Sequence, residues 1–193
     1  MRNNANTSGI NEKKQTCKTL FLILIFCNLA LIKLNSQTAY PIPNNRFVLF
    51  YIQRSLDINT IVYEINYNKD STINISKPIK VFWIKYAEKG QKESLSGLQK
   101  KYAYGLTSKL TDSKKKWFKI KLKAYSKVDI YIMNSENNKN YQAYLTINGQ
   151  LARLTKIFIN IDGGSFWKPN VTYIELSGQN IATSEEVTEK IKP

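Results

Sequence analysis

The chain has 193 residues, with 29 Lys and Arg against 14 Asp and Glu, and histidine is absent throughout. That absence excludes Ser-His-Asp and Cys-His nucleophilic sites and removes the imidazole ligands of ordinary zinc centres. The basic excess favours contact with acidic surfaces over neutral ones.

The first 19 residues are polar and include Lys13, Lys14 and Lys18, whereas Leu20 to Ile32 (LFLILIFCNLALI) is almost continuously apolar. A basic stretch followed by a short apolar core predicts a secretory signal peptide over residues 1–39, cleaved between Asn35 and Ala39. An uncleaved anchor running through Lys33 is the alternative, although 13 residues are short for a full membrane span. Acylation of Cys27 fits poorly behind the bulky Ile25 and Phe26. Both cysteines, Cys17 and Cys27, fall in this segment. The expected exported chain therefore begins near Tyr40 without any disulfide and, with 24 basic and 13 acidic residues, carries 24 − 13 = +11. Its length is enough to bury a core unaided.

From there the sequence alternates short β-branched and aromatic runs with Asn, Asp, Gly, Ser and Pro. Strands are predicted at Arg46 to Arg54, Asn59 to Tyr67, Ile79 to Ala87, Lys116 to Tyr125, Val128 to Met133, Gln142 to Asn148, Leu154 to Ile161 and Val171 to Gly178. About eight regularly spaced strands predict an all-β fold, a sandwich or partly open barrel, over residues 40–180. Asn148-Gly149 and Asp162-Gly163-Gly164 supply the positive backbone torsions of hairpin turns. One segment differs: Leu95, Leu98 and Tyr102 share a helical face, Ser94 or Ser96 can cap its start, and Gly105 suits its end. One helix of about ten residues is expected near 94–104, laid over the β-core. The polar tail, residues 181–193, is expected to fray.

No G-x-G-x-x-G or P-loop occurs, so no nucleotide cradle and no cofactor is expected. Asn68, Asp70 and Thr72 are alternating oxygen donors without the glycine and glutamate of an EF-hand, and read as a hairpin loop rather than a metal site. Asn74-Ile-Ser and Asn170-Val-Thr are isolated sequons. Carboxylate acid/base chemistry would have to use Glu64, Glu88, Asp129 or Glu175, each of which has basic neighbours to pair with instead. In KKKWFKIKLKAYSK, Lys119, Lys121 and Lys123 should share one strand face while Phe118, Ile120 and Leu122 point to the core. With Lys114, Lys115 and Lys116 of the preceding turn they form a candidate anion contact. Lysines on a solvated face or guarding a sheet edge are the simpler explanation, and the stretch lacks the arginine that phosphate binding favours. Tyr51, Tyr63, Trp83, Tyr86, Tyr102, Tyr104 and Trp117 are core residues or the walls of a ligand cleft.

The blocks FVLFYIQRSLDINTIVYEIN, PIKVFWIKYAEKGQKESLSGLQKKYAYGL, LTKIFINID and VTYIELSG resemble the uncharacterised DUF4833 family of secreted, mostly bacterial domains. The resemblance runs from about Pro43 to Gly178 and implies a single exported domain, without catalytic residues to transfer. Within its blocks Arg54, Glu64, Lys85, Glu88, Gln99, Tyr102 and Tyr104 are the candidate ligand-binding residues. With Gln53 and Asn59 they could instead form a structural network, with Arg54 paired to Glu64 or Glu88. The expected function is an exported, non-enzymatic binding module, secreted or periplasmic, whose partner is an anionic polysaccharide, a lipid surface or another envelope protein, with nucleic acid a poorer fit. A histidine-free glycan hydrolase and a carrier of small apolar ligands are the alternatives.

Overall fold

The computed structural model describes residues 40–134, 140–165 and 168–193. The signal-peptide expectation and both cysteines lie outside them. Eleven strands form the sheet: β1 (Val48–Arg54), β2 (Asp57–Ile65), β3 (Ile79–Lys85), β4 (Gln91–Ser94), β5 (Leu106–Asp112), β6 (Trp117–Leu122), β7 (Ile130–Asn134), β8 (Tyr141–Ile147), β9 (Gln150–Gly164), β10 (Pro169–Asn180) and β11 (Glu186–Ile191). A six-residue helix, α1 (Gly97–Tyr102), joins β4 to β5.

The architecture follows from β9. Its first residues, through Arg153, pair antiparallel with β8, while Lys156 to Ile159 on the same edge pair parallel with β1. The opposite edge carries β10, and β10 carries β11. Two wings, β1 to β4 and β5 to β8, therefore spring from one edge of a single strand, in the order β4-β3-β2-β1-β9-β8-β7-β6-β5. The sheet curls into a half-barrel, and alternate residues of both wings fill its inside. Phe50, Ile61 and Tyr63 come from one wing, and Phe118, Ile120, Ile132 and Leu145 from the other. Phe50 and Tyr63 stack with ring centres 4.4 Å apart, and the buried Tyr63 hydroxyl donates to the Tyr104 carbonyl at 2.7 Å.

The eight predicted strands are present, and three more join them. β4 and β5 are exposed edge strands without the apolar alternation that marks half-buried ones. The expected fraying tail is instead β11, held by six register pairs to β10, with Val187 and Ile191 packed against the core. The helix is shorter than expected. Ser96 and Gln99 form a reciprocal capping box, Ser96 Oγ accepting from the Gln99 amide at 3.2 Å and Gln99 Oε1 accepting from the Ser96 amide at 2.9 Å. At its far end a Cβ on Gly105 would stand 1.8 Å from the Lys100 carbonyl oxygen, so only glycine lets the chain turn back there. The predicted apolar helical face does not form: Leu95 is buried but precedes the cap, while Leu98 is 54% and Tyr102 63% exposed.

Candidate functional site

Four of the seven candidate ligand-binding residues gather around Trp83. The Arg54 guanidinium lies 5.2 Å from the Trp83 ring and 5.7 Å from that of Tyr104. The two rings meet edge to face at 5.4 Å. Lys85 Nζ lies 5.6 Å from the Trp83 ring and 3.4 Å from Glu93, and the Trp83 indole donates to Gln99 Oε1 at 3.4 Å. Burial pushes the Tyr104 phenol up, against the opposing effect of Arg54.

The charge in this cluster is already matched. Arg54 forms an ion pair with Asp57, its neighbour across the β1–β2 turn, rather than with Glu64 or Glu88. The other three candidates stand apart. Glu64 accepts from Asn45 at 3.0 Å on the outer side of β2, Tyr102 is solvated under Lys101, and Glu88 ends an exposed 3-10 turn. That turn is fastened to Asn59 through the Ala87 amide, at 3.1 Å. Asn59 is five residues from Glu64 along β2, about 16 Å at the strand rise. Glu88 is thus held near the start of β2 and Glu64 stands near its end, an arrangement that does not suit two carboxylates flanking one scissile bond. Gln53, buried, donates to the Pro41 carbonyl at 2.9 Å and to Thr60 Oγ1 at 3.3 Å, so it holds the incoming chain over the sheet. Asp70 and Thr72 bond to each other in their loop, at 2.6 Å.

The lysine strand alternates as expected, with Phe118, Ile120 and Leu122 buried and Lys119 and Lys121 outside. It is not an edge, since β6 lies between β5 and β7, so edge protection does not account for its lysines. Lys119 and Lys121 both reach Asp129, at 3.1 and 3.2 Å, which leaves one positive charge in excess among the three. Lys123 is exposed beyond the end of β6. In the turn, Asp112 accepts from the backbone amides of Lys114 and Lys115, Lys116 has φ 55°, and Lys115 lies 4.5 Å from the Trp117 ring.

Register adds residues that lie far apart along the chain. Lys109 pairs with Lys119, Lys119 with Tyr131, Tyr131 with Tyr144, Tyr144 with Arg153, and Arg153 with Gln179. Directly paired residues project to the same face. One row therefore crosses six strands on the outside of the sheet, and its part from Lys109 to Arg153 is about 19 Å long at the usual strand spacing. The missing arginine and aromatic surfaces are here, contributed by β7, β8 and β9. Tyr131 is 40% exposed, and Arg153 is oriented by Gln179 Oε1 at 2.6 Å.

Two hollows complete the surface. A cleft of about 600 Å³ lies between β3 and β5, where the half-barrel does not close, with Lys77, Lys80 and Lys100 among its walls. An apolar cavity of about 170 Å³ lies between the wings, with Tyr104 and Tyr125 on its lining. Among the described residues there is no cluster of three or more carboxylate, thiol or imidazole side chains suited to a metal ion, and no helix long and apolar enough to cross a membrane.

The fold and these surfaces define a small, mostly antiparallel half-barrel with a cationic, aromatic outer face and an apolar interior hollow. The chain belongs to the DUF4833 family, a domain of unknown function, whose model matches residues 50–190. No curated protein and no solved structure matches it.

Proposed function

We propose that the chain is an exported, non-catalytic module that contacts an anionic polysaccharide through the outer face of β5 to β9. The cross-strand row from Lys109 to Arg153 carries this reading. Lys109, Lys119, Lys121 and Arg153 supply four positive charges against the single negative charge of Asp129, for a local excess of 4 − 1 = +3. The partly exposed rings of Tyr131, Tyr144 and Trp117 sit among them. Flat rings offer stacking surface for sugars, while the cations attract their acidic groups. The signal-like N-terminus supports an envelope setting, secreted or periplasmic.

Binding to dextran sulfate, with uncharged dextran as control, tests this. Affinity should fall at least about tenfold between about 50 and 200 mM salt. It should also fall in the Lys109→Gln/Lys119→Gln/Lys121→Gln variant. Equal binding by that variant would refute the assignment, and loss only in Lys80→Gln/Lys100→Gln would move the contact to the open cleft. Preference for phosphatidylglycerol vesicles over the polysaccharide would replace the sugar with a lipid surface.

A further inference from the structure

The apolar cavity is lined by aliphatic side chains of both wings and of β9 and β10, among them Ile52, Leu122, Ile130, Leu145, Ile157 and Ile174. Its volume of about 170 Å³ compares with the roughly 150 Å³ of a dry cavity able to hold benzene. No charged side chain contributes to the wall. Few polar groups face it, so the hollow suits hydrocarbon better than a hydrated group.

A cation lies near each of the two aromatic residues of the lining. Arg54 is 5.7 Å from the Tyr104 ring but is neutralised by Asp57. Lys127 lies 6.0 Å from the Tyr125 ring, is exposed, and has no acidic partner among the described residues. Ala124 and Pro193, both on the lining, are exposed, so the cavity meets solvent beside them. Hydrocarbon walls with an uncompensated cation beside one of the lining aromatic rings match a molecule with an aliphatic tail and an acidic head.

We propose that this cavity binds the tail of a medium-chain anionic amphiphile, with its carboxylate beside Lys127. The site is separate from the outer sheet face and independent of what that face contacts. Titration calorimetry on the full chain, with octanoate, butyrate and octanol as probes, tests it. Octanoate should bind at least about a hundredfold more tightly than butyrate, given four fewer methylenes in the shorter acid. Lys127→Glu should weaken octanoate about fivefold or more while leaving octanol unchanged. Ala124→Trp, which adds bulk at an exposed position and should keep the wild-type circular dichroism and melting temperature, should weaken both eight-carbon probes at least tenfold. Absence of octanoate binding, or binding unaffected by Ala124→Trp, would overturn the site. Indifference of octanoate to Lys127→Glu would overturn the anionic head. Leu145→Phe fills the same hollow from β8 and must weaken octanoate as well, whatever Ala124→Trp does to folding.

Discussion

Leu56 is the least comfortable residue of the β1–β2 turn. Its φ is 67° and its side chain is 85% exposed, so it pays for a left-handed backbone without burying its apolar surface. Replacement by glycine removes that strain, less glycine's own entropic cost, and Leu56→Gly should raise unfolding stability by about 0.5–1 kcal/mol in urea titrations. Asp129 gives a second test. The hydrogen bond from Lys119, with further help from Lys121, holds its carboxyl below the usual carboxylate range. A lowered folded-state value means that its contribution is complete above the unfolded value, near about 4, and is lost as pH falls through the folded one. Asp129→Asn should therefore flatten the acid limb of a melting-temperature profile taken between about pH 2 and 5. The pairing of Lys119 and Lys121 with one aspartate could not be foreseen from spacing, because Asp129 reaches them across a turn. The same limit explains Arg54, whose partner Asp57, three residues on, reaches it only because a tight turn brings the chain back.

Strands buried on one face were legible because burial imposes alternation, as in Trp117 to Leu122. Edge strands escape that constraint. β5 (LTSKLTD) is exposed over most of its length, and β11 (EVTEKI) alternates charge with only Val187 and Ile191 as apolar clues. β11 nonetheless covers the long β10. Ending the chain after Asn180 should cost about 3 kcal/mol for the two partly buried side chains. It should also expose the edge of β10 to other copies, seen as a lower melting temperature and concentration-dependent scattering. The α1 helix illustrates the opposite error. Leu95, Leu98 and Tyr102 have helical spacing, yet the Ser96–Gln99 capping box starts the helix after Leu95 and Gly105 ends it within two turns.

At the scale of the whole molecule, the outer face is assembled by register. Lys109, Tyr131, Tyr144 and Arg153 are scattered over 45 positions and share a surface because four strand pairings align them. Periodicity within each strand shows which side a residue faces but not its cross-strand neighbour, so the lysines were visible and their aromatic and arginine companions were not. The cavity was equally hidden, since Ile52 and Ile130 belong to wings joined within the sheet only through β9. That shared strand also sets an order of events. Ser55 donates to the carbonyl of Ile161 and accepts from its amide, 106 positions away, so the first wing docks only once nearly the whole domain is available. Closing so large a loop must precede the contacts that reward it, which places the chain among slow folders. A polypeptide emerging amino end first would hold β1 to β4 open until β9 arrives, and would remain threadable until its last third is complete.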